Sequence, residues 1–492
     1  MLNKLSESAF LALAKQNERV VVFEELAGDN ITPISVYQQL KAHMAGATLL
    51  ESQVHTKRTG RFSFIGFNPR AEIRYRKDNH ELVSDQIVKS DAATPLDQVE
   101  YYYQQLRATM THPLQGFSGG MVGYFGYDAI RYIEDIPDNN AQDHEVPDIV
   151  LKFYRDHFAF DHQTGTVVLS TVVDISVEQS LQYQEAMAHI ANYKKLLAES
   201  AVKAGTDKQP VEDVDLTPET DIDDETFKAL VLKAKQKICD GEIFQVVLSR
   251  SFKVAFSAEP FDIYRALRLC SPSPYMFFID EGDFVILGAS PEKLVSTDNG
   301  IIETRALAGT RPRGDKDTDV LLAIDLKNDP KEQAEHMMLV DLARNDIGRV
   351  ATVGSVKVKQ LMEVERFSHV MHLCSTIQGE ISPTVKPLEA LLSAFPAGTL
   401  SGAPKIRAMQ LIDELETNRR GVYGGSICMV DSKGDVNSCI AIRMGVLHNN
   451  VATIRAGAGV VYDSDPQKEA DETRAKAKSV LHAIAMAEGG LK

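Results

Sequence analysis

At 492 residues and 44% apolar content, the chain can bury a large core and is too long for one compact core of ordinary size. Its formal charge of −16, with no run rich in lysine and arginine, excludes nucleic acid and anionic membrane surfaces as natural partners. The opening MLNKLSESAF has no signal-peptide apolar stretch and no apolar run of about 18 residues occurs, while Cys239, Cys270, Cys374, Cys428 and Cys439 form no C-x-x-C pair; a reduced, cytoplasmic setting without structural zinc is expected.

In chain order, the alternation of 61–85 predicts antiparallel strands turning at Asp78-Asn79, and 157–173 predicts a hairpin turning at Thr164-Gly165. Apolar spacing predicts a helix over 178–200. The stretch 204–224 is acidic and poor in large apolar residues, so it divides an N-terminal portion, 1–203, from a C-terminal portion, 225–492. Beyond it, helices are predicted over 225–240, 330–346, 386–394, 404–418 and 467–487. Hairpin turns are predicted at Asn299-Gly300, Lys433-Gly434 and Asn449-Asn450. Hairpins rather than βαβ units dominate.

The segment PAGTLSGAPKIRAMQ (396–410) has the glycines and hydroxyls of an anion-holding loop. It does not fit the phosphate loop of nucleotide-binding proteins, because no lysine directly follows Gly402. It also reads as a plain helix start, with Pro404 in the first turn and Ile406, Met409, Ile412 and Leu415 on one face.

Two predicted helices begin alike. Asp329-Pro330 and Asp465-Pro466 are each followed by Glu-x-x-Glu, at 332–335 and 469–472. Capping accounts for Asp329 and Glu332. Glu335 shares a stripe with Leu339 and Leu342, so it is expected to face the interior, where an unpaired carboxylate is costly. If the two helix starts meet, Glu335 and Glu472 form an oxygen-only site suited to Mg²⁺ with retained water or a substrate carboxylate. Lys476, one turn beyond Glu472, also fits an ordinary i,i+4 ion pair.

The segments EHMMLVDLARNDIGRV (335–350), FSHVMHLCSTIQGE (367–380), FPAGTLSGAPKIRAMQLIDELE (395–416) and RAGAGVVYDSDPQKEADETRAKAKSVL (455–481) resemble the chorismate-utilising enzymes, and within them the component I family of anthranilate synthases. LLES (49–52), RFSFIG (61–66) and FSGGMVGYFGYDAIRYIE (117–134) extend the resemblance to the N-terminal portion. The family implies an α+β fold with two large, mainly antiparallel β-sheets and helices packed between and around them, in a β/α/α/β sandwich. It implies chorismate as the anion, Thr399 contacting it beside a Mg²⁺ ion on Glu335 and Glu472, and Glu332 and Glu469 behind those ligands. Tyr423, Arg443, the backbone of Gly457, Ala458 and Gly459, and Lys476 would hold the enolpyruvyl carboxylate, with Gly309 and Thr310 near the ring carboxylate. Glu292 would be the general acid at C4, and His372 would serve the later elimination.

Relatives that add water at C2 carry a lysine where this chain has Gln245, and those that form 4-amino-4-deoxychorismate carry a lysine where it has Ala308. The resemblance therefore implies direct amination and anthranilate. The folate-pathway aminodeoxychorismate synthase component, and a non-catalytic relative, are the alternatives. No cysteine lies in an amidotransferase turn, so a separate glutamine amidotransferase subunit would supply ammonia in a hetero-oligomer. Glu51 and Ser52, with Pro274, Tyr275 and Met276, resemble the family's tryptophan-inhibitor pocket. Ala306 replaces a usual proline, and Ile427 and Met429 differ from the better-known enteric-type enzymes near that pocket.

Overall fold

The computed structural model describes residues 3–53, 60–76, 79–83, 90–114, 116–141, 146–199, 216–366 and 370–491. The predicted helices form as Gln179–Glu199, Asp224–Cys239, Pro330–Gly348, Pro387–Leu392, Lys405–Leu415 and Pro466–Glu488. Asp329 accepts from the backbone N–H of Lys331 and Glu332, and Asp465 from that of Lys468, so both prolines sit just inside capped ends. Lys405–Leu415 is shorter than expected, and its buried residues are Ala408, Met409, Leu411, Ile412 and Asp413; Ile406, expected on the buried face, is 41% exposed.

The hairpin turns fall where left-handed backbone is cheapest. Asn299-Gly300 and Asn449-Asn450 have φ of 49° and 78°, and 49° and 60°, and Gly165 and Gly434 are also at positive φ. The turn at Asp78 lies outside the described residues. Among helices the sequence reading did not include, Pro33–Leu40 and Pro95–Leu106 are capped by Thr32 and Thr94 directly before proline.

The strands form one continuous hydrogen-bonded network that divides into two antiparallel wings. Two long strands, Phe62–Arg76 and Ile149–Asp161, belong to both. From their 62–66 and 156–161 ends the first wing runs one way to Thr166–Asp174 and Arg19–Ala27. The other way it passes through Thr48–Glu51, Tyr275–Asp280, Phe284–Ser290, Met444–His448 and Val451–Val460 to Gln245–Ala255. The second wing runs from their other ends through Met121–Phe125, Ser426–Val430, Val436–Ile440, Lys293–Asp298, Ile301–Pro312 and Val370–Glu380 to Lys357–Arg366. N-terminal and C-terminal strands pair in both, so the two portions share their sheets.

Side-chain alternation decides what each face meets. Met276, Phe278, Leu287 and Ala289 pack with Ala477, Val480 and Ile484 of the last helix. Their neighbours Phe277, Ile279 and Ile286 pack instead against Tyr124, Val150, Ile427 and Cys439 of the second wing. The α+β class with two large, mainly antiparallel sheets stands. The wings meet strand against strand around Phe277 and Ile427, and elsewhere Phe227, Val340 and Met409 of the helices share one core with Val246 and Leu248 of the first wing and Val295 and Ile377 of the second.

Candidate active site

Two chain crossings between the wings lie side by side. The chain passes from Phe284–Ser290 to Lys293–Asp298 through Glu292, and from Val436–Ile440 to Met444–His448 through Arg443. They are stitched together by Gly288 opposite Met444, Lys293 opposite Cys439, and the Ile440 N–H donating to the Glu292 carbonyl at 3.0 Å. Arg443 sits between strands at φ 52°, a left-handed conformation rare for a non-glycine residue.

Glu292 accepts a hydrogen bond from the Thr399 hydroxyl at 3.0 Å. Burial pushes its carboxyl up to about 7, against the pull of that hydroxyl and of Lys476. Thr399 lies in the 3₁₀ turn Gly398–Leu400. Lys476 donates to the Gly457 carbonyl at 2.9 Å and pairs with Glu472 at 2.6 Å, so the i,i+4 pair and the reach to the glycine strand coexist.

Burial lowers the pKa of the Arg443 guanidinium, with Tyr423 and Glu472 acting oppositely. Among the described residues it has no ion-pair or hydrogen-bond partner. A Cβ at Gly457 would lie 3.0 Å from the Tyr423 hydroxyl, and one at Gly459 would lie 2.8 Å from the Gln245 amide nitrogen, so both side chains approach bare backbone. Ala458 is buried between the two glycines.

Gly309 is the extra residue of a bulge between Ile301–Pro312 and Val370–Glu380, at φ 68°. The bulge turns its carbonyl onto His372, whose Nδ1–H donates to it at 2.8 Å; the Thr310 hydroxyl is 3.2 Å from the same nitrogen. Burial lowers the His372 pKa, as does Arg443, while the Gly309 carbonyl and Glu332 oppose this. The ring is therefore neutral near pH 7, with the basic lone pair on Nε2.

The two helix starts come close enough for Glu472 to help raise the pKa of Glu335. Burial is the larger cause, Lys331 opposes it, and Glu332 and Asp329 add to it. Glu335 is not interior: its side chain is 36% exposed and Lys331 is 3.8 Å away. The buried stripe of this helix carries His336, Val340 and Ile347, whereas Leu342 on the Glu335 face reaches the space beside Gly398. That face looks onto the Thr399 turn. Burial also raises Glu469, while the Ser464 hydroxyl opposes this. No group of three or more His, Cys, Asp or Glu among the described residues gathers as a metal cluster, so a cation here would rest on few protein oxygens. An acid pair whose charges destabilise each other fits a hard cation completed by water or ligand oxygens.

Arg311 escaped the sequence reading. It bridges Asp325, Asp329 and Glu332 at 2.7, 2.9 and 3.2 Å, fixing Glu332 beneath Gly309. No spacing rule joins an arginine on a strand to three acids on two later helices.

A separate cavity gathers Glu51, Ser52, Pro274, Tyr275 and Met276, together with Ile427 and Met429. The Tyr264 hydroxyl donates to Glu51 at 2.6 Å, and Arg268 lies 3.3 Å from the same oxygen. The Ser52 hydroxyl is buried and has no hydrogen-bond partner among the described residues.

The model of the chorismate binding enzyme family matches residues 47–482. Anthranilate synthase component 1 of Acetivibrio thermocellus is 40% identical over 484 residues, covering 96% of each chain, and that of Pseudomonas aeruginosa is 38% identical over 98% of this chain and 99% of its own. The crystal structure of anthranilate synthase component I from Streptococcus pneumoniae superposes with a TM-score of 0.76 at 37% identity, covering 92% of this chain and 98% of that one. The menaquinone-specific isochorismate synthase of Escherichia coli, at 20% identity and a TM-score of 0.69, covers 97% of this chain and 98% of its own and shares the fold. The chain belongs to the chorismate-binding enzymes, and within them to the anthranilate synthase component 1 proteins.

Proposed function

We propose that the chain converts chorismate and ammonia to anthranilate, pyruvate and water. The observation that carries this reading is the seam where the two chain crossings meet: on one, the buried Glu292 carboxyl, held near neutrality, accepts from Thr399, and the other presents Arg443, which has no ion-pair partner among the described residues. Arg443, Tyr423, Lys476 and the backbone of Gly457, Ala458 and Gly459 hold the enolpyruvyl carboxylate through charge-assisted bonds. Gly309 and Thr310 approach the ring carboxylate. Ammonia attacks C2 near Gln245, a side chain that cannot activate water as a base. Glu292, protonated, gives its proton to the C4 hydroxyl as it leaves. The Nε2 of His372 then takes the C2 proton as pyruvate departs and the ring becomes aromatic. Glu335 and Glu472, with Glu332 and Glu469 behind them, would hold Mg²⁺, which supplies Lewis-acid polarisation of the ring carboxylate. Ala308, opposite Leu373, offers no nucleophile for the aminodeoxychorismate reaction.

The purified chain is expected to form fluorescent anthranilate from chorismate, Mg²⁺ and ammonium at mildly alkaline pH, and to form none from glutamine. The second expectation reflects the cysteines, of which Cys374, Cys428 and Cys439 are buried, and the lack of an amidotransferase turn. A separate glutaminase subunit in a hetero-oligomer would restore glutamine use. Glutamine-dependent product from the isolated chain would contradict the two-subunit reading, and no product from ammonium would sink the reaction.

The N-terminal portion, 1–203, is proposed to be regulatory, with L-tryptophan as inhibitor in the Glu51–Met276 cavity and a cytoplasmic setting for the enzyme. The buried Ser52 hydroxyl, which has no partner among the described residues, and the buried Glu51 carboxylate supply polar contacts for an amino acid. Ser52→Phe fills that space and is expected to leave turnover near normal while raising the inhibitory tryptophan concentration at least ~10-fold. Unchanged inhibition in this variant, or no calorimetric binding of tryptophan to the parent chain, would refute the pocket.

A further inference from the structure

Behind the seam lies a buried ion network that the proposed chemistry does not use. Arg420 and Glu416, four residues apart just beyond the end of Lys405–Leu415, pair through contacts of 3.0 and 2.5 Å. The other Glu416 contacts are with the Ser249 N–H at 2.7 Å, the Ser249 hydroxyl at 2.9 Å and Arg455 at 3.3 Å. The remaining donors of Arg420 reach two backbone carbonyls, Leu400 and Val247, each at 2.6 Å. Leu400 follows Thr399 directly, and Val247 lies two residues from Gln245.

Resting on the reading above, we infer that Arg420 is a positioning residue, which fixes the Gly398–Leu400 turn against the strand Gln245–Ala255 and so sets the Thr399 hydroxyl on Glu292. Only a planar fork with five donors can span turn and strand while a carboxylate locks its rotation; a lysine has no second arm. Glu416 supplies the lock, and its own place is fixed by Ser249 and Arg455. The stacking of the Arg420 guanidinium over the Tyr127 ring at 4.6 Å leaves it no alternative plane. The network also borders Tyr423, three residues beyond Arg420. It thus joins the turn, the strand and the tyrosine that meet around one ligand space.

The test uses the full chain. The charged group that faces Glu292 is Lys476, on the last helix, and it is left intact. Arg420→Lys is expected to lower kcat ~10–10²-fold, the usual effect of a small misplacement of reacting groups. Losing the Thr399 hydrogen bond removes an interaction that favours the ionised carboxylate, so the alkaline limb of kcat should move to higher pH. Thr399→Val should move it the same way, and the Arg420→Lys/Thr399→Val double variant should move it no further. Because Arg420→Lys strands part of the Glu416 charge, the neutral pair Glu416→Gln/Arg420→Met is the second variant, with thermal unfolding measured on each. A fall in kcat with the alkaline limb unmoved, an unchanged kcat, or failure of both variants to fold would overturn the inference. Anthranilate formation by the parent chain separately tests the reading on which it rests.

Discussion

Glu335→Gln and Glu472→Gln are each expected to lower anthranilate formation by ~10³-fold or more while leaving the fold intact. Electrophilic stabilisation by a bound metal is worth several kcal/mol, and about 4 kcal/mol corresponds to ~10³ in rate. The substitutions are sterically mild, because the two side chains are 36% and 46% exposed at the cleft. Glutamine keeps the shape and removes the charge that would hold a hard cation. Glu332→Gln should cost less, ~10–10²-fold, as outer residues that orient metal ligands usually do. Mg²⁺ titration followed by calorimetry in the presence of chorismate should show weakened binding in step with the lost rate. Full activity of both variants in strong chelator would remove the metal from the proposal. So would unchanged Mg²⁺ affinity.

What the sequence made legible was local. Asp329-Pro330 and Asp465-Pro466 announce helix starts because the cap, the proline and the following acids act within one turn. Asn299-Gly300 announces a hairpin because left-handed backbone is costly for most other residue pairs. The spacing of Glu335 and Leu342 puts them on one stripe, but that stripe is not interior. Periodicity says which residues share a face but not what that face meets, and here it meets the Thr399 turn. The positive φ of Arg443 depends on the crossing between wings, which no window of sequence contains. The same limit hid Arg311, Arg420 and Tyr264. Each acts on a group brought near by the sheet topology, and the resemblance to a family supplied chemistry for Glu292 and His372 that spacing alone could not.

Glu292→Gln is expected to lower kcat ~10²–10⁴-fold, the usual contribution of a positioned general acid. Its pH dependence carries the sign. The protonated carboxyl is the active form, so kcat in the parent chain should fall as pH rises through the Glu292 value of about 7. In the variant the side chain no longer titrates, and that alkaline limb should vanish from the residual rate. Stability gives an independent reading. A carboxyl whose folded pKa is raised contributes stability that is fully present below its unfolded value and is lost as pH rises through the folded one. The parent chain therefore bears the cost of ionising Glu292 above neutrality, and glutamine does not. Thermal unfolding should find Glu292→Gln at least as stable as the parent at pH above 8, with the difference closing toward pH 4. A variant that lost activity and was less stable at alkaline pH would mark Glu292 as a structural carboxylate, and the proton at C4 would need another source.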